Sequence, residues 1–84
     1  VEVSLEVLEM VRWCPDGRSL VGVGFAGRNR LVRIDAASGA MQTLLESPGA
    51  HSFHEPICTA SGLLYKRREG FMEPAALRWL DLPG

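Results

Sequence analysis

The chain has 84 residues, of which 46% are apolar and 23% charged, with a formal net charge of −1. This length allows at most one small domain, and the ordinary apolar content argues against intrinsic disorder. The mixed, nearly balanced charges exclude strong electrostatic binding of nucleic acid or an anionic membrane, and no apolar run approaches the roughly 18 residues of a membrane span. The sequence therefore predicts a soluble domain, of either the cytoplasm or the periplasm.

The first half of the chain reads as a series of short strands separated by turns. Val1 to Val7 alternates strictly between apolar and polar residues, which is typical of a half-buried antiparallel strand, and Leu8-Glu9 indicates a break. Pro15-Asp16-Gly17 predicts a tight turn, because proline sets φ, aspartate bonds to nearby backbone and glycine adopts a positive φ. The other strands predicted here are 10–13, 20–25, 31–35 and 40–46.

The second half begins with the longest predicted connection, residues 47–55, which we expect to be a loop. A short strand follows at 57–58, and a turn at Ala60-Ser61-Gly62 leads into a strand at 63–68. A loop over 69–74 then precedes a last strand at 75–82. The runs are short, β-branched and interrupted by glycine, so strands fit better than helices.

An internal repeat relates the two halves. Residues 76–81 match residues 30–35, which lie 46 positions earlier, and Cys58 follows Cys14 by 44 positions. A period of roughly 40 to 50 residues is typical of a four-stranded propeller blade.

The two cysteines are predicted to stay unpaired. They occupy matching points of the two copies, and matching points in a stack of similar units lie about one unit apart. A disulfide requires Cα atoms within roughly 7 Å, so pairing is doubtful, and we expect small buried apolar side chains instead.

Particular residues of the first copy point to a known architecture. They are Trp13, Pro15, Asp16, Gly17 and Leu20, followed by Leu31-Val32-Arg33-Ile34-Asp35 and Ser38-Gly39. This set resembles the Trp-x-Pro-Asp-Gly blades of TolB-like and prolyl-oligopeptidase-type β-propellers, with Cys14 in place of the usual serine. The second copy departs from the pattern, because Thr59-Ala60-Ser61-Gly62 lacks the Pro-Asp pair. The resemblance implies an all-β fold of antiparallel four-stranded blades, two per chain, and leaves the function open.

Counting strands suggests how such a chain is completed. Residues 1–9 supply one outer strand, 10–46 a first blade of four strands, and 56–84 only three strands of a second blade. The N-terminal strand would complete a blade of another, identical chain by strand exchange. Because propellers have about 4 to 8 blades, we expect a homotrimer first and a homotetramer second. The rival interpretation is a fragment of a larger propeller.

Candidate binding residues lie in the loops predicted to share the channel face of such a ring. They are Arg28, Arg30, His51, His54, Glu55, Phe71 and Glu73. Polar groups that converge on a concave mouth are a default binding site, here for a small ligand or a peptide in the central channel. We predict no catalytic residues, no metal site and no cofactor, because no nucleophile elbow occurs and the two histidines read as loop residues.

The function predicted is a non-catalytic propeller module that acts as a scaffold or a binding ring of identical chains. The alternative is part of the gating propeller of a prolyl-oligopeptidase-like serine peptidase, whose chemistry would require a separate hydrolase domain.

Overall fold

The structure, a computed structural model, describes residues 7–47, 51–70 and 72–82. The strands are β1 (Val7–Trp13), β2 (Ser19–Phe25), β3 (Asn29–Asp35), β4 (Met41–Glu46), β5 (Ser52–Cys58), β6 (Gly62–Arg68) and β7 (Ala76–Asp81). β1 to β4 form one antiparallel sheet in chain order, called the first sheet, and β5 to β7 form the second sheet. The predicted all-β, antiparallel architecture with sheets of four and three strands is therefore confirmed.

The first strand differs from its prediction. β1 runs without interruption through Leu8 and Glu9, where the sequence indicates a break, because both residues pair with β2. The irregularity falls one residue later, at Met10, whose φ is +55° and where the register with β2 shifts. Residues 1–6, which hold most of the predicted N-terminal strand, lie outside the described residues.

The fifth strand is longer than predicted. β5 begins at Ser52, so most of the segment expected to be a loop pairs with β6. The reason is tertiary: the Phe53 ring is buried and packs edge-on against the Tyr65 ring, with 5.6 Å between the centroids. An aromatic side chain that buries its surface in this way outweighs the weak strand propensity of its polar neighbours.

The core lies between the two sheets. Val21, Val23 and Leu31 share one face of the first sheet, here called its front face, because they are cross-strand partners or alternate neighbours. They pack in one buried cluster with Phe53, Leu63 and Tyr65 of the second sheet.

The two sheets are stacked in the same orientation. Trp13 pairs with Leu20 at the end of the first hairpin, as Cys58 pairs with Leu63 at the end of the second. Leu63 therefore corresponds to Leu20, which lies on the back face of the first sheet, opposite Val21. The front face of the first sheet thus packs against the back face of the second.

The sheets approach each other most closely along β5. Among the described strands of the second sheet, β5 alone has Cα atoms within 8 Å of β1, β2 and β3, whereas β6 and β7 lie further away. The sheets are therefore closest at β5, which lies over β1, β2 and β3, and they separate towards β6 and β7.

The close approach of β1 and β5 corrects the prediction for the cysteines. Cys14 and Cys58 form a disulfide, with their Cα atoms 4.9 Å apart. The register shows that Cys58 corresponds to Trp13 rather than to Cys14, so the two cysteines are not equivalent points of two units. A covalent link joins the sheets where they are closest, and it is compatible with an oxidising compartment such as the periplasm.

Large apolar side chains remain exposed on both outer faces of the pair. The back face of the first sheet exposes Leu8, Val11 and Trp13, and the front face of the second exposes Ile57, Leu77 and Trp79. The exposed fraction reaches 61% for Trp13 and 64% for Leu77.

Among the described residues there is no helix with the length and hydropathy required to cross a membrane.

We predict that Gly62→Ala destabilises the second sheet. A Cβ at Gly62 would lie 2.6 Å from the carbonyl oxygen of Leu80 and would also meet the Trp79 ring. Overpacking of this kind costs about 1–3 kcal/mol, measured as the free energy of unfolding in a denaturant titration. Gly70→Ala is the matched control, because its Cβ would find its nearest neighbour at an ordinary 3.7 Å. Equal stability of the two variants would contradict this description of the β6–β7 contact.

We also predict that reduction of the disulfide lowers the free energy of unfolding by up to about 4 kcal/mol, the chain-entropy value for a loop of this size. The link spans a sequence separation of 44 and constrains the unfolded chain accordingly. The measurement is denaturant unfolding with and without a thiol reductant. The double variant Cys14→Ser, Cys58→Ser serves as control and should not respond to the reductant. An equal response of both proteins would show that the reductant acts elsewhere.

Candidate functional site

Three connections lie at one end of the paired sheets, here called the loop end. They are the β2–β3 turn, the β4–β5 connection and the β6–β7 loop, since the adjoining strand ends are register partners. The Asn29 side-chain amide donates a hydrogen bond to the main-chain oxygen of His51 at 3.0 Å. The main-chain N–H of Ser47 donates to the main-chain oxygen of Asn29 at 2.9 Å. The bond to His51 joins the first sheet to the start of the second, and the bond from Ser47 extends the β3–β4 pairing of the first sheet.

Two of the predicted binding residues meet at the loop end through one carboxylate. Arg28 and Arg30 lie 3.4 and 3.0 Å from the two oxygens of Glu46. The Arg30 guanidinium is the more enclosed, with 16% of its side chain exposed against 58% for Arg28. Two guanidinium groups against one carboxylate leave a net positive charge at this corner.

His51 lies between this corner and a second group of charges. Its ring Nδ1 is buried without a hydrogen-bond partner among the described residues. Nearby, the Arg67 guanidinium donates to Glu69 at 2.6 Å, and this hydrogen bond, with the charges of Arg67, His51 and Arg78, lowers the pKa of the Glu69 carboxyl below its ordinary value.

The remaining predicted residues are placed differently. His54 and Glu55 lie within β5 rather than in a loop: the His54 Nε2 is 2.9 Å from the Ser52 hydroxyl, and Glu55 pairs with Lys66 at 3.0 Å. Glu73 is exposed in the β6–β7 loop, and Phe71 lies outside the described residues. In the described part of the chain, no group of three His, Cys, Asp or Glu side chains is arranged to hold a metal ion.

The opposite end of the sheets is organised by the predicted turn. The Asp16 carboxylate accepts the N–H groups of Arg18 and Ser19 at 2.8 and 3.1 Å, and the Ser19 hydroxyl donates to it at 3.1 Å. Arg33 donates to the Ser19 hydroxyl and approaches the carboxylate at 3.5 Å. Gly17 has a φ of +67°, which glycine adopts at low cost. The Pro-Asp-Gly turn therefore forms by the mechanism expected from its residues.

A cavity of about 340 Å³ opens beside this turn, between the two sheets. Its lining includes the disulfide, Thr59 and the Asp16–Arg33 ion pair. An adjoining cavity of about 400 Å³ shares the same ion pair. The Asp16 and Arg33 charges already pair with each other, so this ion pair links the Pro-Asp-Gly turn to β3.

Sequence reasoning missed the partners that organise both ends. The partners missed are Glu46 and Asn29, because Glu46 contacts Arg28 18 positions earlier in the chain and Asn29 contacts His51 22 positions later. Glu69, by contrast, contacts Arg67 two positions before it. The β3–β4 hairpin signal was available in the sequence and would have placed Glu46 beside Arg30.

We predict that the Asp16 carboxylate contributes a pH-dependent part of the stability. The N–H of Arg18 is the main cause of the lowered pKa of this carboxyl, helped by Ser19 and Arg33. A lowered pKa in the folded state gives stability that is present above the ordinary pKa of aspartate and is lost as the pH falls through the folded value.

The test compares the unmodified chain with Asp16→Asn by denaturant unfolding at a series of pH values. The unmodified chain should be the more stable at neutral pH, and the difference should close as the pH falls from about 5 towards 2. A difference that stays constant over this range would show that the negative charge of Asp16 is not what the turn stabilises.

Comparison of the chain with protein-family models, with curated proteins and with solved structures finds no match.

Proposed function

We propose that the chain is a non-catalytic β-propeller module, two blades per chain, which assembles with identical chains into a scaffold or binding ring. One observation carries the proposal. The contact inside the chain joins a front face to a back face, and the two faces left exposed are again one front face and one back face.

The exposed faces have the composition of a packing surface. Each presents three large apolar side chains, among them one tryptophan. The packing that already exists between the two sheets of one chain can therefore be repeated between chains, with the back face of one chain against the front face of the next. Such a head-to-tail contact closes into a ring when the rotation per chain fits.

Further support comes from the shape of the sheet pair and from its repeated details. Blades of a propeller converge at their inner strands, and the described strand of the second sheet that lies nearest to the first sheet is β5, the first strand of its sheet. Met10 and Glu55 occupy equivalent sites 45 positions apart, and both have a positive φ at a register shift. The two sheets therefore share an irregularity that the turn pattern alone does not require.

The number of chains and the ligand follow from the same proposal. Three chains give six blades and four give eight, both within the usual range, and we favour three. The binding face would be the loop end, where Arg28 and Arg30 share one carboxylate. Symmetry would repeat this positive corner around the channel mouth, which suits an anionic small molecule or an acidic peptide.

The alternative is a piece of the gating propeller of a serine peptidase of the prolyl-oligopeptidase type. In that case blades from the rest of the larger protein would cover both exposed faces, and the isolated chain would remain a single copy.

We predict that the chain has three times its mass of 9.2 kDa in solution, measured by native mass spectrometry or light scattering. Trp13→Glu and Trp79→Glu should each prevent the assembly, because each buries a charge in one of the two contact faces. Ala37→Glu, in an exposed turn, is the matched control and should leave the mass unchanged.

Mixing the two tryptophan variants tests the head-to-tail geometry itself. Each variant retains the face that the other has lost, so the mixture should form a complex of one copy of each, whereas neither forms a complex alone. A single-chain mass for the unmodified protein would contradict the ring of identical chains and favour the peptidase fragment.

A further inference from the structure

We propose that the front face of the second sheet carries a binding site for a small oxyanion, the phosphate or carboxylate group of a small molecule, formed over β5 and β6. The site uses other residues than the corner of Arg28 and Arg30. It lies within one chain, so it does not require the proposed ring.

The first argument is that Lys66 and Arg68 depart from the packing pattern of this face. They occupy the positions that Val23 and Phe25 occupy in the first sheet, because the two pairs lie opposite equivalent residues of β5 and β1. Val23 is 3% exposed and packs in the core between the sheets. Burying unpaired charges is costly, so two cations at these positions indicate that this end of the face has a role other than packing.

The second argument is that both cations line one cavity. Its volume is about 280 Å³. Lys66 and Arg68 are alternate residues of β6 and therefore project from the same face, and His54 lies directly opposite Lys66 on β5. Side chains with N–H donors thus reach the same small space from two strands. The cavity is lined by Met10, His54, Glu55, Lys66, Arg68 and Ala75.

The third argument is the charge balance of this cavity. Glu55, the carboxylate in its lining, pairs with Lys66 at 3.0 Å. The ion pairs of the described residues do not include Arg68. A guanidinium presents a planar fork of N–H donors that matches the oxygens of a phosphate or a carboxylate, and a lysine adds a point charge. The unbalanced positive charge therefore favours an oxyanion.

A second copy of the chain would not neutralise these cations. In the proposed ring, the back face of the next first sheet would cover them, and near the loop end that back face carries Arg30 and Glu46 as cross-strand partners. Glu46 already pairs with Arg28 and Arg30, so the contact would add positive charge. An oxyanion is therefore the better partner for Lys66 and Arg68, in a single chain and in a ring.

The experiment titrates the full chain with inorganic phosphate and, separately, with succinate, at an ionic strength held constant with sodium chloride. Binding is followed by the NMR chemical shifts of the backbone amides of β5 and β6. Arg68→Gln removes the unpaired cation of the cavity. Arg12→Gln is the matched control, because it removes one positive charge from an exposed position of β1 outside this cavity. Denaturant unfolding confirms that both variants fold.

We expect at least one of the two ligands to bind saturably. Arg68→Gln should weaken this binding about tenfold or more, because it removes hydrogen bonds from a charged donor, whereas Arg12→Gln should weaken it less than about twofold, because salt screens a distant charge. Saturation by phosphate alone identifies a phosphate ligand, and saturation by succinate alone a carboxylate. Equal weakening by both variants, or saturation by neither ligand, would overturn the site.

Native mass separates this inference from the proposed function. A chain that has the mass of one copy and binds phosphate or succinate through Arg68 would refute the ring and retain the site. A chain that has the mass of a ring and binds neither ligand would refute the site and leave the ring.

Discussion

The packing of β5 against β1, β2 and β3 is the contact on which the rest of the structure depends. It brings Phe53 and Leu63 onto Val21 and Leu31, and full burial of side chains of this size contributes about 1.5–3 kcal/mol each. It also brings Cys14 to Cys58, so the hydrophobic contact creates the geometry that the disulfide then secures. Two sheets of four and three strands could not each bury a core alone, and this contact makes them one unit.

The same contact determines what remains open. Because the sheets stack in one orientation, burying one front face and one back face leaves one of each exposed. Trp13 and Trp79 lie on these two faces. A sandwich whose sheets faced each other symmetrically would have no such complementary pair of outer faces. The outer faces therefore carry exposed apolar surface, whereas the described ion pairs gather near the ends of the strands.

The loop end and the turn end differ in how their charges are paired. At the turn end, the Asp16 carboxylate and Arg33 satisfy each other and two backbone groups, which makes a closed brace. At the loop end, Arg28 and Arg30 share a single carboxylate, and a ring nitrogen of His51 is buried without a partner among the described residues. Unequal pairing of charges is what a ligand can use, so the loop end is the better candidate for binding.

Local chemistry and pattern in the sequence were sufficient for the turn and for five of the described strands, namely β2, β3, β4, β6 and β7. The alternation of apolar residues and the glycine-containing turns predicted both antiparallel sheets, and Pro15-Asp16-Gly17 formed the hydrogen bonds expected of it, because these features depend on neighbours within a few residues. Only the tertiary structure decided that the two cysteines pair, that the segment around Phe53 is a strand, and that Asn29 contacts His51. Each of these depends on how one sheet is placed against the other or on strand register, which join residues far apart in the chain and which no local pattern encodes.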